Sequence, residues 1–327
     1  MKEFSIAGIT LGNRYIQAPL AGFTDYSMRK MASDKGASLV YSEMESSEAL
    51  VYNSKATIKD VQDTILDKKT EPNTKLALQI FGGKEEVVLK SIPLFEKYGQ
   101  YDFLDFNCGC PVPKVLRQHA GSYWLNRPDE LIHLLKEMVK ISSKPVILKI
   151  RIGFSSIMDM VPLAKRIEET GVQAIAIHGR TKAEGFSGPV HYEVIKDIKD
   201  HLTIPVIANG DITEKNFTDI LKLTGADALM IGQRAIGYPK VFEDMIRIEQ
   251  GLKPLDTTLS KQVTDLKEHL NLIFSSKDEK QAADIMKGIS VRYLKGFDNM
   301  RALRMDLVHS NSLTDYLKVL SNVHGEQ

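Results

Sequence analysis

Eight short apolar runs recur between residues 15 and 232 of this chain, and a stretch with helical spacing follows each. The runs are Tyr15–Ala18, Leu39–Glu43, Leu76–Phe81, Phe103–Asn107, Val146–Arg151, Ala174–His178, Pro205–Asn209 and Ala228–Gly232. Most are β-rich and nearly continuous in hydrophobicity, as parallel strands covered on both faces must be. Between them, segments such as Pro128–Ile141, Met160–Thr170 and Glu214–Thr224 carry apolar residues at helical spacing. Eight β/α units over roughly 240 residues have the count and size of a (β/α)8 TIM barrel. A doubly wound sheet is the alternative.

The alternation stops near Pro239. Lys240–Gln250 reads as a closing helix ended by Gly251, and Lys253–Thr258 as a linker holding Pro254. Beyond it, Leu259, Val263, Leu266, Leu270 and Ile273 trace one face of an amphipathic helix. Further helical stretches are expected at Lys280–Lys295, Asn299–His309 and Leu313–Val323. The predicted organisation is an α/β chain: a barrel over 1–250 and a smaller all-α domain over 259–327. A length of 327 residues suits one large domain plus one small one.

Charge narrows the functional classes. Lys and Arg number 43 against 42 Asp and Glu, so no global excess points to a polyanionic partner. Any nucleic-acid site must come from local clustering. The two cysteines, Cys108 and Cys110, lie too close for a structural disulfide and are too few for a zinc site, so no metal is expected. Thiols without disulfides fit a reducing, cytoplasmic home. No run approaches the roughly 18 apolar residues of a membrane span.

In such a barrel, functional groups gather where strands end and βα loops begin. Those ends read Pro19-Leu20-Ala21-Gly22, Glu43, Gln79, Asn107-Cys108-Gly109-Cys110, Lys149 with Arg151, His178-Gly179-Arg180-Thr181, Asn209-Gly210-Asp211 and Gly232-Gln233-Arg234. Glycine-bearing turns after strands seven and eight could offer main-chain N–H groups to a phosphate, or could simply be tight turns. Lys149, inside an apolar strand, needs a negative partner: Glu43 if its role is structural, an anionic ligand such as a reduced flavin otherwise. Gln79 could serve a flavin edge or be a satisfied polar residue. Cys110 sits between glycine and proline, which ends the strand and turns the thiol toward the loops. A thiol with pKa near 8.5 is mostly protonated at neutral pH and can donate a proton. As a nucleophile it would need a base, with His178 the nearest candidate, and a structural role is the third possibility.

Six stretches in order resemble the tRNA-dihydrouridine synthases, the bacterial B-type group most closely. They are Ala18-Pro19-Leu20-Ala21-Gly22-Phe23-Thr24-Asp25, Leu78-Gln79-Ile80-Phe81-Gly82, Asn107-Cys108-Gly109-Cys110-Pro111 with Lys114-Val115, Leu148-Lys149-Ile150-Arg151, His178-Gly179-Arg180-Thr181 and Ile207-Ala208-Asn209-Gly210-Asp211-Ile212. The resemblance implies an FMN enzyme, reduced by NADPH, that converts uridine to dihydrouridine in tRNA. It implies hydride transfer from flavin N5 to uracil C6 and a proton from Cys110 to C5. It matches Pro19, Leu20, Ala21, Gln79 and Lys149 to flavin-ring contacts, and Asn209, Gly210, Asp211, Gly232 and Gln233 to phosphate contacts. Asn107 corresponds to the uracil-holding asparagine; His178 and Arg180 correspond to residues lining the flavin and substrate pocket. The chain departs from the family at Gln233, where arginine is usual, and at Tyr123 and Trp124, where smaller or aliphatic residues are common.

The small domain carries the tRNA expectation. Between Lys287 and Arg304, five basic residues face one acid, Asp298. On a continuous helix Lys287, Arg292 and Lys295 would share an arc of about 140°, which suits phosphate contacts. A flavin reductase of a free pyrimidine or enone, and a non-catalytic RNA-binding barrel, are the competing readings. The first leaves the basic patch without a role; Cys110 and Lys149 argue against the second.

Overall fold

A computed structural model of the chain describes residues 4–71 and 73–323. Eight parallel strands close into a barrel: Tyr15–Gln17, Leu39–Ser46, Lys75–Phe81, Phe103–Cys108, Val146–Arg151, Ile175–His178, Val206–Asn209 and Ala228–Ile231. The last strand pairs with the first, Leu229 opposite Tyr15. The barrel reading of the sequence holds and the doubly wound sheet is excluded.

Strand alternation sorts side chains into two apolar sets. Ile16, Tyr41, Ala77, Phe103, Ile147 and Met230 point inward and fill the lower interior. Their neighbours, among them Leu76, Leu104, Leu148 and Leu229, point outward into the larger core beneath the helices. An N-terminal hairpin, Phe4–Ile6 paired antiparallel with Ile9–Leu11, adds Phe4, Ile6 and Leu11 to the inner set and plugs the barrel floor. The sequence reading passed over this hairpin because three-residue strands carry too little pattern.

The second strand runs to Ser46, three residues past the expected end at Glu43. Its pairing with the third strand shifts between Tyr41 and Met44, an inserted residue that lets pairing continue. The bulge re-aims Met44 inward, where its sulfur lies 3.8 Å from Asn107 Nδ2.

After the closing helix Val241–Glu249 come four helices, Leu259–Ser276, Glu279–Tyr293, Arg301–His309 and Leu313–Ser321. Leu266, Leu270, Ile273, Met286, Ile289 and Tyr316 bury a separate apolar cluster among them. Ile236 from the eighth loop joins it, and Leu20 and Phe23 from the first loop pack on its edge. Gly237, at φ 76°, comes so close to this cluster that a Cβ there would lie 2.6 Å from the Arg292 carbonyl carbon. The helices are thus seated on one side of the barrel mouth, against the loops of strands eight and one. Among the described residues no helix is long and apolar enough to cross a membrane.

Candidate functional site

Above the apolar floor the inward positions become polar. Gln79 lies opposite Asp105, Asn107 opposite Lys149, and His178 between Arg151 and Asn209 in the strand register. Period-two alternation therefore delivers side chains from five consecutive strands into one chamber.

A hydrogen-bonded chain runs through it. Gln79 Nε2 donates to Asp105 Oδ2 (2.6 Å), and Asn107 Nδ2 donates to Gln79 Oε1 (2.8 Å). Asn107 Oδ1 then accepts from the main-chain N–H of Gly109 (3.1 Å) and of Cys110 (2.9 Å). This Asx-type turn sets the direction in which Cys110 leaves the strand. Cys110 is half-buried and Cys108 fully buried, both as free thiols. Burial raises the Cys110 pKa, outweighing the lowering by the Val112 main chain, Arg151 and Lys149. The thiol is protonated at neutral pH. Cys108 points outward into the core beneath the helices, as a small hydrophobe does.

Lys149 Nζ donates to Asn209 Oδ1 at 3.1 Å. Burial pushes its pKa down to about 8, with Arg151 adding repulsion and Asp105 opposing it. The carboxyl of Asp105 is pushed up to about 8, again mainly by burial. The structural partner expected for Lys149 was Glu43; the nearby carboxyl is instead Asp105. Glu43 Oε2 accepts from Gly22 N–H at 2.6 Å and ties the first loop to the second strand. Asp105 lies inside its strand, away from the strand ends where functional groups are expected. Its signal was alternation, which puts it on the face of Phe103 and Asn107.

Arg151 is 2% exposed, and its guanidinium donates only to carbonyls: Gly109 (2.8 Å), Thr181 (2.9 Å) and Gly185 (2.8 Å). It braces the fourth loop against the sixth, and among the described residues no carboxylate pairs with its charge. His178 is pushed down to about 2 by burial and by Lys149, Arg151 and Arg180. So low a pKa weighs against His178 as the base that a Cys110 thiolate would need. Its Nε2 is buried with no partner among the described residues. Arg180 is buried, paired with Asp211 and bonded to Gly188 O (2.7 Å), so its donors face the loops rather than the chamber.

The loops after strands seven and eight adjoin, because Met230 pairs with Asn209. Asn209 Nδ2 locks them together by donating to Met230 O at 2.8 Å. Gly210 at φ 129° and Asp211 at φ 44° turn the seventh loop sharply, a conformation that glycine tolerates and aspartate adopts at modest cost. Among the described residues the main-chain N–H groups of Gly210, Asp211, Gly232 and Gln233 donate to no other protein group. Gln233 is exposed. Arg234 turns away, donating to Glu214 at 2.8 and 2.7 Å, and does not replace the arginine usual at 233. Pro19 and Leu20 are half-buried and Ala21 exposed on the first loop, beside these two.

The basic trio is only partly assembled. The second of the four C-terminal helices ends at Tyr293, so Lys295 lies beyond it and the shared helical arc does not extend to it. Lys287 pairs with Asp284 at 2.9 Å. Arg292 is exposed and stands 5.2 Å above the Phe23 ring of the first loop, which brings one cation of the trio to the mouth.

Comparison with known proteins agrees with this geometry. The fold is shared with an old yellow enzyme homologue from Zymomonas mobilis, at 14% identity over 80% of this chain and 95% of that one, with a TM-score of 0.57. It is shared also with TcOYE bound to pHBA, at 12% identity over 81% and 96%, with a TM-score of 0.59. In sequence the chain is 33% identical to tRNA-dihydrouridine synthase B of Pasteurella multocida, over 98% of this chain and 94% of the relative. It is 40% identical to the enzymes of that name from Klebsiella pneumoniae and Escherichia coli K12, each alignment covering 72% of both chains. The family model described as dihydrouridine synthase matches residues 16–325, from the first barrel strand through the last helix, and the chain belongs to that family.

Proposed function

We propose that this protein is an FMN-dependent tRNA-dihydrouridine synthase that reduces the C5=C6 bond of uridines in tRNA, with NADPH as reductant. The observation that carries the reading is a protonated, half-buried thiol set by Asn107 at the rim of a chamber that holds half-buried Lys149.

The chamber fits the cofactor by its donor set. Four unused N–H groups on two adjoining loops suit a phosphate, with Asn209 holding those loops together. Lys149, Gln79, His178, Pro19, Leu20 and Ala21 would hold the ring, and the lysine charge suits the negative charge a reduced flavin carries. His178, neutral and with one nitrogen unpartnered, offers a hydrogen bond without a competing proton. When bound, reduced FMN supplies hydride to uracil C6. Cys110 then gives its proton to C5, which completes the two-electron reduction, and the thiolate regains a proton from solvent. Asn107, whose Nδ2 donates to Gln79 Oε1, would orient the pyrimidine by exchanging that hydrogen bond for one to the base. Arg180 acts here by bracing the pocket wall.

The helical region over 259–327 would take up the tRNA body, with Arg292, Lys295 and Lys287 contacting phosphates. The target base must leave its stack to reach the chamber. RNA modification of this kind belongs to the cytoplasm.

The test is a map of dihydrouridine across total tRNA, with and without the gene. Loss in the deletion strain, restored by the wild type and not by Cys110→Ala, is the expected result. An unchanged map together with turnover of free pyrimidines or enones would replace this reading with a small-molecule reductase. A purified protein that binds tRNA but no flavin would make it a non-catalytic barrel.

A further inference from the structure

Tyr123 and Trp124 are adjacent large aromatics on the fourth loop, and packing accounts for only one of them. Trp124 is 1% exposed; its Nε1 donates to Gly82 O at 2.9 Å and its ring meets Phe106 edge-on. It fastens the third loop to the fourth strand. Tyr123 is half-buried and stands at the rim, inside a run of rings and cations. His119 stacks on it, with centroids 4.5 Å apart and planes inclined by 15°. Phe154 of the fifth loop meets it edge-on at 6.2 Å, and Lys182 of the sixth loop lies 4.8 Å from the Phe154 ring. Arg127 lies 5.3 Å from the Tyr123 ring.

Three observations give this array a ligand. It adjoins the thiol: Ser122, next to Tyr123, donates its N–H (3.1 Å) and Oγ (3.0 Å) to Cys110 O. It is held in position: Lys182 and Ala183 donate their N–H groups to Gly153 O and Phe154 O, both at 2.9 Å, and Arg127 Nη2 donates to His119 O at 2.8 Å. His119 is exposed and has a left-handed backbone at φ 55°, a conformation that is strained outside glycine. Finally, strands four to six lie across the closed barrel from strands eight and one, where the C-terminal helices sit. An RNA that reaches the chamber from those helices continues onto this rim.

Flat rings with cations beside them match an unpaired nucleotide, whose base stacks and whose phosphate takes the charge. Lys114 and Arg117, exposed on the fourth loop, add to that charge. We infer that Tyr123, with His119 and Phe154, is a stacking platform for the nucleotide adjacent to the target uridine, with Lys182 on its phosphate. The inference rests on the tRNA reading under Proposed function and names a second contact surface for it, opposite the helices.

The experiment measures dihydrouridine formation on an unmodified tRNA transcript, comparing wild type with Tyr123→Leu, Tyr123→Phe and Lys182→Ala. Tyr123→Leu keeps an apolar side chain but loses the ring, and its KM for tRNA is expected to rise about tenfold with kcat within about twofold. Tyr123→Phe should behave as wild type. The slope of log Kd against log salt should stay unchanged in Tyr123→Leu and become shallower by about one in Lys182→Ala. Should Tyr123→Leu lose its bound flavin, His119→Ala carries the same test at an exposed residue, with a KM rise of about threefold expected. A wild-type KM in the ring-loss variant, or an equal loss in Tyr123→Phe, overturns the platform. A wild type inactive on every transcript overturns the tRNA reading itself.

Discussion

The floor and the mouth of the barrel are built by the same eight strands, yet they follow opposite rules. On the floor, inward positions are apolar and closely packed, as at Phe103 and Ile147, with the N-terminal hairpin sealing them from below. Two residues further along the same strands, the inward positions are Asp105, fully buried, and Lys149, half-buried, both shifted to pKa values of about 8. Burying such groups costs stability, and hydrogen bonds offset the cost only in part. Asp105 Oδ1 and His178 Nε2 have no partner among the described residues. The floor supplies the stability that lets the mouth keep groups poised for chemistry.

Substitutions at the two levels should separate rate from stability. The largest effect is expected from Cys110→Ala, which should lower turnover about 10²- to 10⁴-fold while bound FMN and the unfolding midpoint stay unchanged; single-turnover uridine reduction measures it. On the floor, Phe103→Ala should destabilise the fold by about 3–5 kcal/mol, read as a drop in urea midpoint, with the flavin spectrum of the folded fraction intact. If Phe103→Ala altered turnover more than stability, the division between the two levels would be wrong.

The pH dependence of stability sharpens the contrast. The Asp105 carboxyl titrates near 3.8 in an unfolded chain and near 8 when folded. Between those values the folded state holds a proton that the unfolded state has released, so stability falls as pH rises from about 4 to 8. The slope from this one group approaches about 1.4 kcal/mol per pH unit. Asp105→Asn should remove that component and leave those of Glu43 and Glu45, which burial also raises. Urea titrations of both proteins at several pH values check it; parallel curves would place the charge outside the chamber.

The smallest effect belongs to the helices. Lys295→Glu should weaken tRNA binding several-fold without disturbing the flavin. Lys287→Glu should matter less, because Asp284 already pairs with that lysine. Filter binding at two salt concentrations ranks them.

Much of this was legible from local pattern. The eight strands were visible as apolar runs, and the residues at their ends, from Gln79 and Asn107 to Lys149 and Asn209, do line one chamber. Where the reading slipped, the missing information was non-local. Glu43 and Asp105 are both acids on adjacent or nearby strands, and only the barrel's closure and the bulge at Tyr41–Met44 decide which one approaches Lys149. Lys287, Arg292 and Lys295 would share one face of a continuous helix, but the helix stops at Tyr293 and Gly296 at φ 94° turns the chain just beyond it. Arg180, matched by the resemblance to the pocket lining, is paired with Asp211 across a loop.

Hydrophobic periodicity, turn residues and the order of the motifs were enough to specify a closed parallel barrel with helices after it, because those signals act over a few residues and repeat. Which polar groups meet inside it is another matter. Shear and closure of the sheet bring strands far apart in sequence to common heights, and burial at those heights then sets the protonation of Cys110, Lys149, Asp105 and His178. Desolvation depends on everything packed around a group, so no stretch of sequence contains it.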